Sequence, residues 1–191
     1  MPKQLRIVGI DPGYAIVGYG VLDYANNHFS VVEYGAITTP AELVFPRRLG
    51  VIWEGLADLL ARLEPEVMAV EKLFFTTNQK TVIDVAQARG VVQLCAERRG
   101  IGVFEYTPLQ VKQAVVGYGK AEKHQVQQMV KTLLNLERAP KPDDTADALA
   151  VAICHAHSSG RKTNAVLGAQ GAPHTGPVLR GRVFPDSKGR G

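Results

Sequence analysis

The sequence predicts an α/β fold class, a five-stranded mixed sheet flanked by helices on both faces. Two observations lead to it. Three short β-branched runs come first, and later runs alternate with segments of helical periodicity, three of which end the patterned part of the chain. The composition, 46% apolar and 21% charged over 191 residues, suits one globular domain with a substantial core.

Five runs rich in β-branched residues predict strands. The first ends at the turn sequence Asp11-Pro12-Gly13, and Asn26 and Asn27 separate the second run from the third, as in a hairpin. The first three runs therefore predict an antiparallel meander, and the apolar fourth run predicts a buried strand. The strands are expected at residues 5–11, 15–23, 29–38, 67–71 and 101–106.

Five segments predict helices. In the first of them, leucines and other large apolar residues recur at helical spacing, and Pro65 follows. Gly100 is suited to end the second, and Asp143 or Asp144 is suited to begin the last. The helices are expected at residues 46–63, 78–99, 108–115, 121–135 and 143–157.

The chain divides into a folded domain, residues 1–157, and a tail, residues 158–191. The tail has seven glycines, three prolines and six basic side chains without apolar periodicity, so we expect it to be disordered. No apolar run is long enough to span a bilayer, so no membrane partner is expected. The absence of a secretory signal pattern and of metal-ligand spacing at Cys95 and Cys154 favours a cytoplasmic protein.

Positive charge is concentrated in two segments. Residues 72–131 carry nine basic and four acidic side chains, and the tail carries six and one, whereas residues 1–71 carry five basic and nine acidic ones. This distribution is compatible with a polyanionic partner, although global charge alone does not identify one.

Four carboxylates stand out by their apolar surroundings. Asp11 and Glu71 end the two most apolar strands, and Asp144 and Asp147 share one face of a predicted helix. An ionised carboxylate in such surroundings is unfavourable unless it is paired or binds a metal ion. A turn at Asp11 and a helix N-terminus at Asp144 are structural alternatives. Together at one edge of a sheet, the four would suit a hard divalent cation with oxygen ligands.

Several segments jointly resemble the RuvC-type Holliday junction resolvases. They cover residues 5–157 and read, in chain order, GIDPGYAIVGYGVLD, VEKLFF, AQARGV, YTPLQVKQAVVGYGKAEKHQVQQMV and DDTADALAVAICHAH. The resemblance implies an RNase H-like fold and a homodimer that nicks two symmetry-related strands of a four-way DNA junction with Mg²⁺ or Mn²⁺. It also implies a role in homologous recombination and repair, with the branch-migration proteins RuvA and RuvB as partners.

By this resemblance, the catalytic groups and metal ligands are Asp11, Glu71, Asp144 and Asp147. They would hold two Mg²⁺ ions per subunit, one to activate a water molecule and one to support the 3′ leaving oxygen. The products would be ligatable 5′-phosphate and 3′-hydroxyl ends. Asp143 is an additional acid beside this set.

The resemblance also assigns junction stacking to Phe74 and functional importance to Lys112 and Lys123. Lys120 lies in the same glycine-punctuated basic segment, and Arg89 would extend its phosphate-contacting surface. Further basic residues that would extend it are Arg98, Arg99 and Lys131. Core packing is the alternative for the phenylalanine, and a solvated helix face is the alternative for the lysines.

Paired cuts in two strands favour a two-fold symmetric dimer. The helix expected at residues 78–95 offers apolar side chains that serve either as the dimer interface or as packing against the sheet. These residues are Val82, Val85, Ala86, Ala88 and Val92.

Three other classes of protein share parts of the pattern. Another metal nuclease of the same fold would share the first and last aspartates, but not the QARG and VVGYGKAEK segments. An ATP-binding protein of the actin or sugar-kinase type would share the first loop, but it needs two domains around the nucleotide. A non-catalytic DNA-binding module would use the basic segment and leave the four acids without a role.

Overall fold

The computed structural model describes residues 4–72 and 79–158, and of residues 79–81 it describes only the backbone. The strands are β1 (Leu5–Asp11), β2 (Ile16–Ala25), β3 (His28–Thr38), β4 (Val67–Glu71) and β5 (Gly102–Tyr106). The helices are α1 (Phe45–Leu63), α2 (Gln79–Glu97), α3 (Pro108–Val116), α4 (Lys123–Leu133) and α5 (Asp143–Ser158). The predicted tail beyond residue 158 lies outside the described residues.

The five strands form one mixed sheet in the order β3-β2-β1-β4-β5. β1 pairs antiparallel with β2, and β2 pairs antiparallel with β3. β1 pairs parallel with β4, and β4 pairs parallel with β5, so these three strands end at the same end of the sheet. The predicted five-stranded mixed sheet is therefore confirmed.

The hairpin between β2 and β3 turns at the two asparagines that the sequence indicated. Asn26 and Asn27 have φ angles of 51° and 59°, in the left-handed region that asparagine tolerates better than most residues. Two consecutive residues of this kind match the two-residue turns that follow the twist of antiparallel strands.

Helices cover both faces of the sheet, as predicted. On one face, Ile7, Leu22 and Ala69 pack with the buried side of α5 and with residues of α3 and α4. On the other face, Val8 and Val70 pack with buried residues of α1 and α2. Alternate residues of the central strands thus face two separate apolar layers.

The five α2 residues that were expected either at a dimer interface or packed against the sheet divide between core and surface. Ala88 and Val92 are fully buried in the layer between α2 and the sheet, so they serve packing and are not available to a partner. Val82 and Val85 are half-buried, and Ala86 is exposed. Among the side chains of this helix that the structure describes, the exposed large apolar ones are Ile83 and Leu94.

The last three helices begin and end close to the predicted positions. α4 begins at Lys123 rather than at residue 121, because Glu122 is its N-cap residue and forms a capping box with Gln125. Among the described residues, no helix is long and apolar enough to cross a membrane.

Candidate active site

Two of the predicted carboxylates lie side by side where neighbouring strands end. β1 and β4 run parallel, with Ile10 opposite Val70, so the last residues of the two strands, Asp11 and Glu71, lie at the same edge of the sheet. Both side chains are partly buried. This juxtaposition is what the sequence led us to expect for two apolar strands that each end in an acid.

Glycines in the sheet bring α5 down onto this pair. A Cβ atom at Gly9 would lie 2.0 Å from the Ala148 carbonyl oxygen, and one at Gly18 would lie 2.0 Å from the Asp144 carbonyl oxygen. No side chain therefore separates the helix backbone from β1 and β2. Gly18 pairs directly with Asp11, so the first turn of α5 is held over the end of β1.

The carboxylates disfavour each other's ionisation. Burial is the main cause that raises the pKa of the Asp11 carboxyl to about 7, followed by the nearby carboxylates of Asp147, Glu71 and Asp144. Burial, and then the charge of Asp147, raise the pKa of Glu71 as well. The pKa of Asp147 is also raised, again chiefly by burial. Such a group of acids favours the arrival of positive charge.

One positive charge is already present. The Lys123 ammonium lies 2.9 Å from the Asp147 carboxylate and 3.8 Å from the Asp143 carboxylate. The hydrogen bond to Asp147 raises the pKa of Lys123, so the lysine stays charged. Lys123 begins α4, and this ion pair therefore joins the start of α4 to the first turns of α5.

Two of the three predicted lysines share a pocket with two of the carboxylates. The pocket has a volume of about 250 Å³, and Lys112, Lys123, Glu71 and Asp147 line it. Its apolar wall comes from α3, α4 and α5, namely Pro108, Val111, Val126, Ala150 and Val151. A pocket lined by both charge signs is suited to a phosphate group that binds together with a cation.

The donor set fits a hard divalent cation in its chemistry. Asp11, Glu71 and Asp147 supply oxygen atoms and excess negative charge, as Mg²⁺ and Mn²⁺ require. In the part of the chain that the structure describes, however, no three metal-ligating side chains converge closely enough to hold an ion as they stand. Binding of a cation therefore requires the carboxylates to draw together, and the bound cation would repel the Lys123 ammonium beside Asp147.

The other residues predicted to contact DNA lie in different parts of the chain. Lys120 is exposed in the segment between α3 and α4, close in sequence to Lys123. Phe74 lies outside the described residues. Arg98 and Arg99 follow the C-terminal end of α2, and the Arg99 guanidinium donates to the Ala57 carbonyl of α1.

Arg89 does not lie on the lysine-lined surface. Its side chain is 15% exposed and forms an ion pair with Glu105 of β5, which is 16% exposed. Gln93, one turn further along α2, also donates to Glu105 at 3.4 Å. This arrangement attaches α2 to the edge strand of the sheet, and the contact of Arg89 with phosphate stays a prediction.

A family model described as "Crossover junction endodeoxyribonuclease RuvC" matches residues 7–155. The chain belongs to this family. The crossover junction endodeoxyribonuclease RuvC of Caldanaerobacter subterraneus subsp. tengcongensis is 59% identical over 155 residues, which are 81% of this chain and 94% of that protein. The RuvC protein of Clostridioides difficile is 56% identical over 153 residues, or 80% of this chain and 90% of that protein.

Solved structures agree with this assignment. The structure described as Thermus thermophilus RuvC in complex with Holliday junction substrate has a TM-score of 0.77 and 35% identity, covering 81% of this chain and 94% of that one. The yeast mitochondrial Holliday junction resolvase Ydc2 has a TM-score of 0.60 at 16% identity, covering 82% of this chain and 81% of that one, and so shares the fold. The predictions of an RNase H-like fold and of an endodeoxyribonuclease are confirmed.

Sequence reasoning missed the ion pairs that join separate elements of the fold. Lys123 and Asp147 lie on separate helices, and no local spacing indicates that they meet. The same holds for Arg89 and Glu105. A partial signal existed for the close approach of α5, because β1 and β2 carry glycines where strands usually carry larger residues.

Proposed function

We propose that this chain resolves four-way DNA junctions by paired, symmetric, metal-dependent nicks. The observation that carries the proposal is the pocket in which Glu71 and Asp147 lie beside Lys112 and Lys123. Its acids suit a cation and its lysines suit a phosphate backbone. A pure binding surface for DNA would gain nothing from buried acids, which repel phosphate in the absence of a cation.

The residues that would hold the cations are Asp11, Glu71, Asp144 and Asp147. Two bound Mg²⁺ ions, or Mn²⁺ in their place, supply Lewis-acid activation of water and charge stabilisation at the leaving oxygen. In the proposed reaction, water attacks the scissile phosphorus and the bond to the 3′ oxygen breaks. The products are a 5′-phosphate and a 3′-hydroxyl, which a ligase can rejoin.

The lysines would position the DNA backbone. Lys112 lines the pocket next to Glu71, and Lys123 lies within reach of the carboxylates. Lys120 is exposed on the preceding segment and would contact phosphate further from the cut. Lysine contacts of this kind give salt-sensitive affinity without sequence preference, which suits recognition of a junction by shape. For Phe74 we keep the prediction that it stacks on a base.

A homodimer would provide the second cut, and α2 offers a surface for it. Ile83 and Leu94 are 59% and 52% exposed. Ala86 and Gly90 are exposed between them at helical spacing, so the four residues form one apolar stripe. The small residues at its centre allow close approach of a second helix, and the stripe is suited to self-association about a two-fold axis.

A test of this interface is the Ile83→Asp, Leu94→Asp double variant. We expect a monomer by light scattering and single nicks in place of paired cuts. The matched control is Val44→Asp, because Val44 is 68% exposed and is the residue before α1, not part of α2. If the double variant remains dimeric, the interface lies elsewhere on the molecule.

We further propose that the protein acts in the cytoplasm, together with the branch-migration proteins RuvA and RuvB. Chromosomal DNA of bacteria lies in that compartment, and both cysteines of the described region are free thiols in the core, as in proteins of a reducing environment. Co-purification with junction-bound RuvA and RuvB tests the partner assignment.

The central experiment compares a synthetic four-way junction with a matched duplex and an RNA hairpin, each in Mg²⁺, Mn²⁺ or EDTA. We expect paired nicks in the junction only, in either metal, and no nicks in EDTA. Asp147→Asn should bind the junction without cutting it. Ligation of the nicked products by DNA ligase, without prior end repair, tests the proposed end chemistry.

Other outcomes would replace the proposal. Junction binding without cutting in either metal would leave a non-catalytic binding module. Cleavage of the RNA hairpin in preference to the junction would indicate an RNA-processing nuclease of the same fold. Cutting that persists in EDTA would remove the role assigned to the carboxylates.

A further inference from the structure

Asp143 lies at the start of α5, one helical turn before Asp147, so the two carboxylates project from the same side of the helix. The Lys123 ammonium lies between them, 2.9 Å from Asp147 and 3.8 Å from Asp143. Asp143 is more exposed than Asp147, with 43% of its side chain accessible compared with 25%. Lys123 therefore has two neighbouring acceptors, one inside the pocket and one at its rim.

A second lysine also contacts Asp143. The Lys141 ammonium donates to the Asp143 carboxylate at 2.7 Å, and the Lys141 side chain is 73% exposed. Asp143 is therefore an acceptor at the exposed rim, in contact with Lys141 as well as Lys123, whereas Asp147 lies deeper.

The position of Lys123 conflicts with cation binding. A divalent cation held by Asp11, Glu71 and Asp147 would occupy the same carboxylate that now accepts from Lys123. A cation on that carboxylate would repel the neighbouring ammonium, so we expect Lys123 to move away from Asp147 when the cation binds. Asp143, which the proposed cation site does not use, already lies 3.8 Å from this ammonium.

On the basis of the proposed function, we infer that Asp143 is a positioning residue that retains Lys123 at the rim of the pocket when a divalent cation displaces it from Asp147. The shift required of the ammonium is small, because it already lies 3.8 Å from the Asp143 carboxylate. Lys123 then keeps its place beside the pocket, where a phosphate of the bound strand would meet it. Without Asp143, the displaced lysine would move into solvent.

The test is a double-mutant cycle read by cation binding rather than by cleavage. Binding of Ca²⁺ to the free protein is measured by calorimetry for the wild type, Asp143→Asn, Lys123→Gln and the double variant. Asp143→Asn should weaken Ca²⁺ binding in the wild-type background by at least about threefold more than it does in the Lys123→Gln background. Asp143→Glu keeps the acceptor and should restore binding close to that of the wild type.

The cycle separates the proposed role from simple charge. Loss of one negative charge near the site weakens cation binding in any background. The loss of affinity from this cause is equal with and without Lys123. Equal weakening in both backgrounds would therefore overturn the inference. Asp58→Asn is the matched control, because Asp58 is 75% exposed on α1 and should leave Ca²⁺ binding unchanged.

A kinetic readout distinguishes retention of Lys123 from a general effect on folding. At saturating Mg²⁺, Asp143→Asn should lower the single-turnover rate of junction cleavage by about threefold or more, and adding it to Lys123→Gln should cause no further loss. An additive loss would contradict the inference. The proposed function has its own separate failure: if Asp147→Asn binds Ca²⁺ as the wild type does, the carboxylates are not the cation site, whatever Asp143 does.

Discussion

The strand β1 has an ionic site at each end, and the two sites are built in opposite ways. Near its start, Arg6 and Asp23 form a pair in which nearly every charged atom has a partner. At its end, Asp11 lies among other acids, and burial raises its pKa to about 7. At the first site the pKa of Asp23 is lowered, chiefly by the hydrogen bond from Arg6.

The arginine end is satisfied by hydrogen bonds. The Arg6 guanidinium donates from Nε and Nη2 to the two carboxylate oxygens of Asp23, at 2.8 and 2.9 Å. Its Nη1 donates to the Leu63 carbonyl oxygen at 3.0 Å, at the end of α1. The site therefore connects two strands and a helix through one planar cation.

The carboxylate end is held by packing instead. Contact between α5 and the glycines of β1 and β2 keeps the acids together, although their charges repel one another. The difference shows that the role of an aspartate in this fold depends on the charges of its neighbours. A matched cation stabilises the fold, whereas a group of buried acids destabilises the metal-free protein and is kept for its ligand.

The largest contrast should come from Asp11→Asn. We expect the rate of junction cleavage to fall by about a thousandfold or more, because a cation ligand is lost. The thermal stability of the metal-free protein should be unchanged or higher, because a repelled buried charge is removed. A cleavage assay in Mg²⁺ and thermal unfolding in EDTA check the two halves. A large drop in stability would show that Asp11 is a structural residue like Asp23.

The second largest effect is expected for Gly18→Ala. This variant tests whether the packing of α5 holds the acids together at the Asp11 end of β1. The added methyl group would meet the Asp144 carbonyl oxygen, so α5 must move away from the sheet. We expect a loss of about 2–3 kcal/mol in the free energy of unfolding and weaker cleavage by the folded protein. Gly50→Ala in α1 is the control, because nothing lies within 4 Å of the new atom. Equal stability of both variants in chemical denaturation would argue against close packing.

Arg6→Met should show the reverse of Asp11→Asn. Loss of the bidentate pair is expected to lower the free energy of unfolding by about 1–2 kcal/mol, since Asp23 is left without its cation. The cleavage rate of the folded variant should stay within about twofold of the wild type, because the pair lies at the opposite end of the sheet. Urea unfolding and a single-turnover cleavage assay measure the two effects. A selective loss of cleavage would show that the two ends are coupled.

The smallest effect is a difference in pH dependence. The folded-state pKa of Asp11 is raised from 3.8 to about 7, so the metal-free protein loses stability as pH rises through this window. For Asp23 the folded-state pKa is lowered, so its contribution is present above the unfolded-state pKa and is lost as the solution becomes more acidic. Melting temperatures in EDTA from pH 4 to 8, for the wild type and Asp11→Asn, isolate the first effect. Identical slopes would contradict it, and saturating Ca²⁺ should reduce the difference.

The sequence predicted the strands and helices well because each has its own local signal. Alternating apolar faces, the Asn26-Asn27 turn and a proline after α1 mark boundaries within a few residues. Asp11 and Glu71 were identifiable because each ends an apolar strand and parallel strands bring their ends together. These strand, helix and turn predictions depended on interactions between residues close in sequence, which can be recognised in a single sequence.

Pairings between distant side chains were not predictable in this way. Whether Arg89 contacts a phosphate or Glu105 depends on how α2 packs against β5, and Lys123 meets Asp147 only because α4 and α5 meet. A lysine or arginine reaches several positions from one backbone site, so its partner depends on three-dimensional packing rather than on spacing along the chain. The same reason explains why Ala88 and Val92, two of the five residues considered for the dimer interface, are in the core.

The mixed lining of the pocket has a consequence for the order of events in a cell. Its acids and lysines partly neutralise each other, so a cation or a phosphate alone would bind there more weakly than the two together. If both bind as proposed, each supplies a counter-charge for the other, and by reciprocity each tightens the binding of the other by the same factor. In that case Mg²⁺ would occupy the pocket most fully when DNA is bound, which would favour cutting at the substrate.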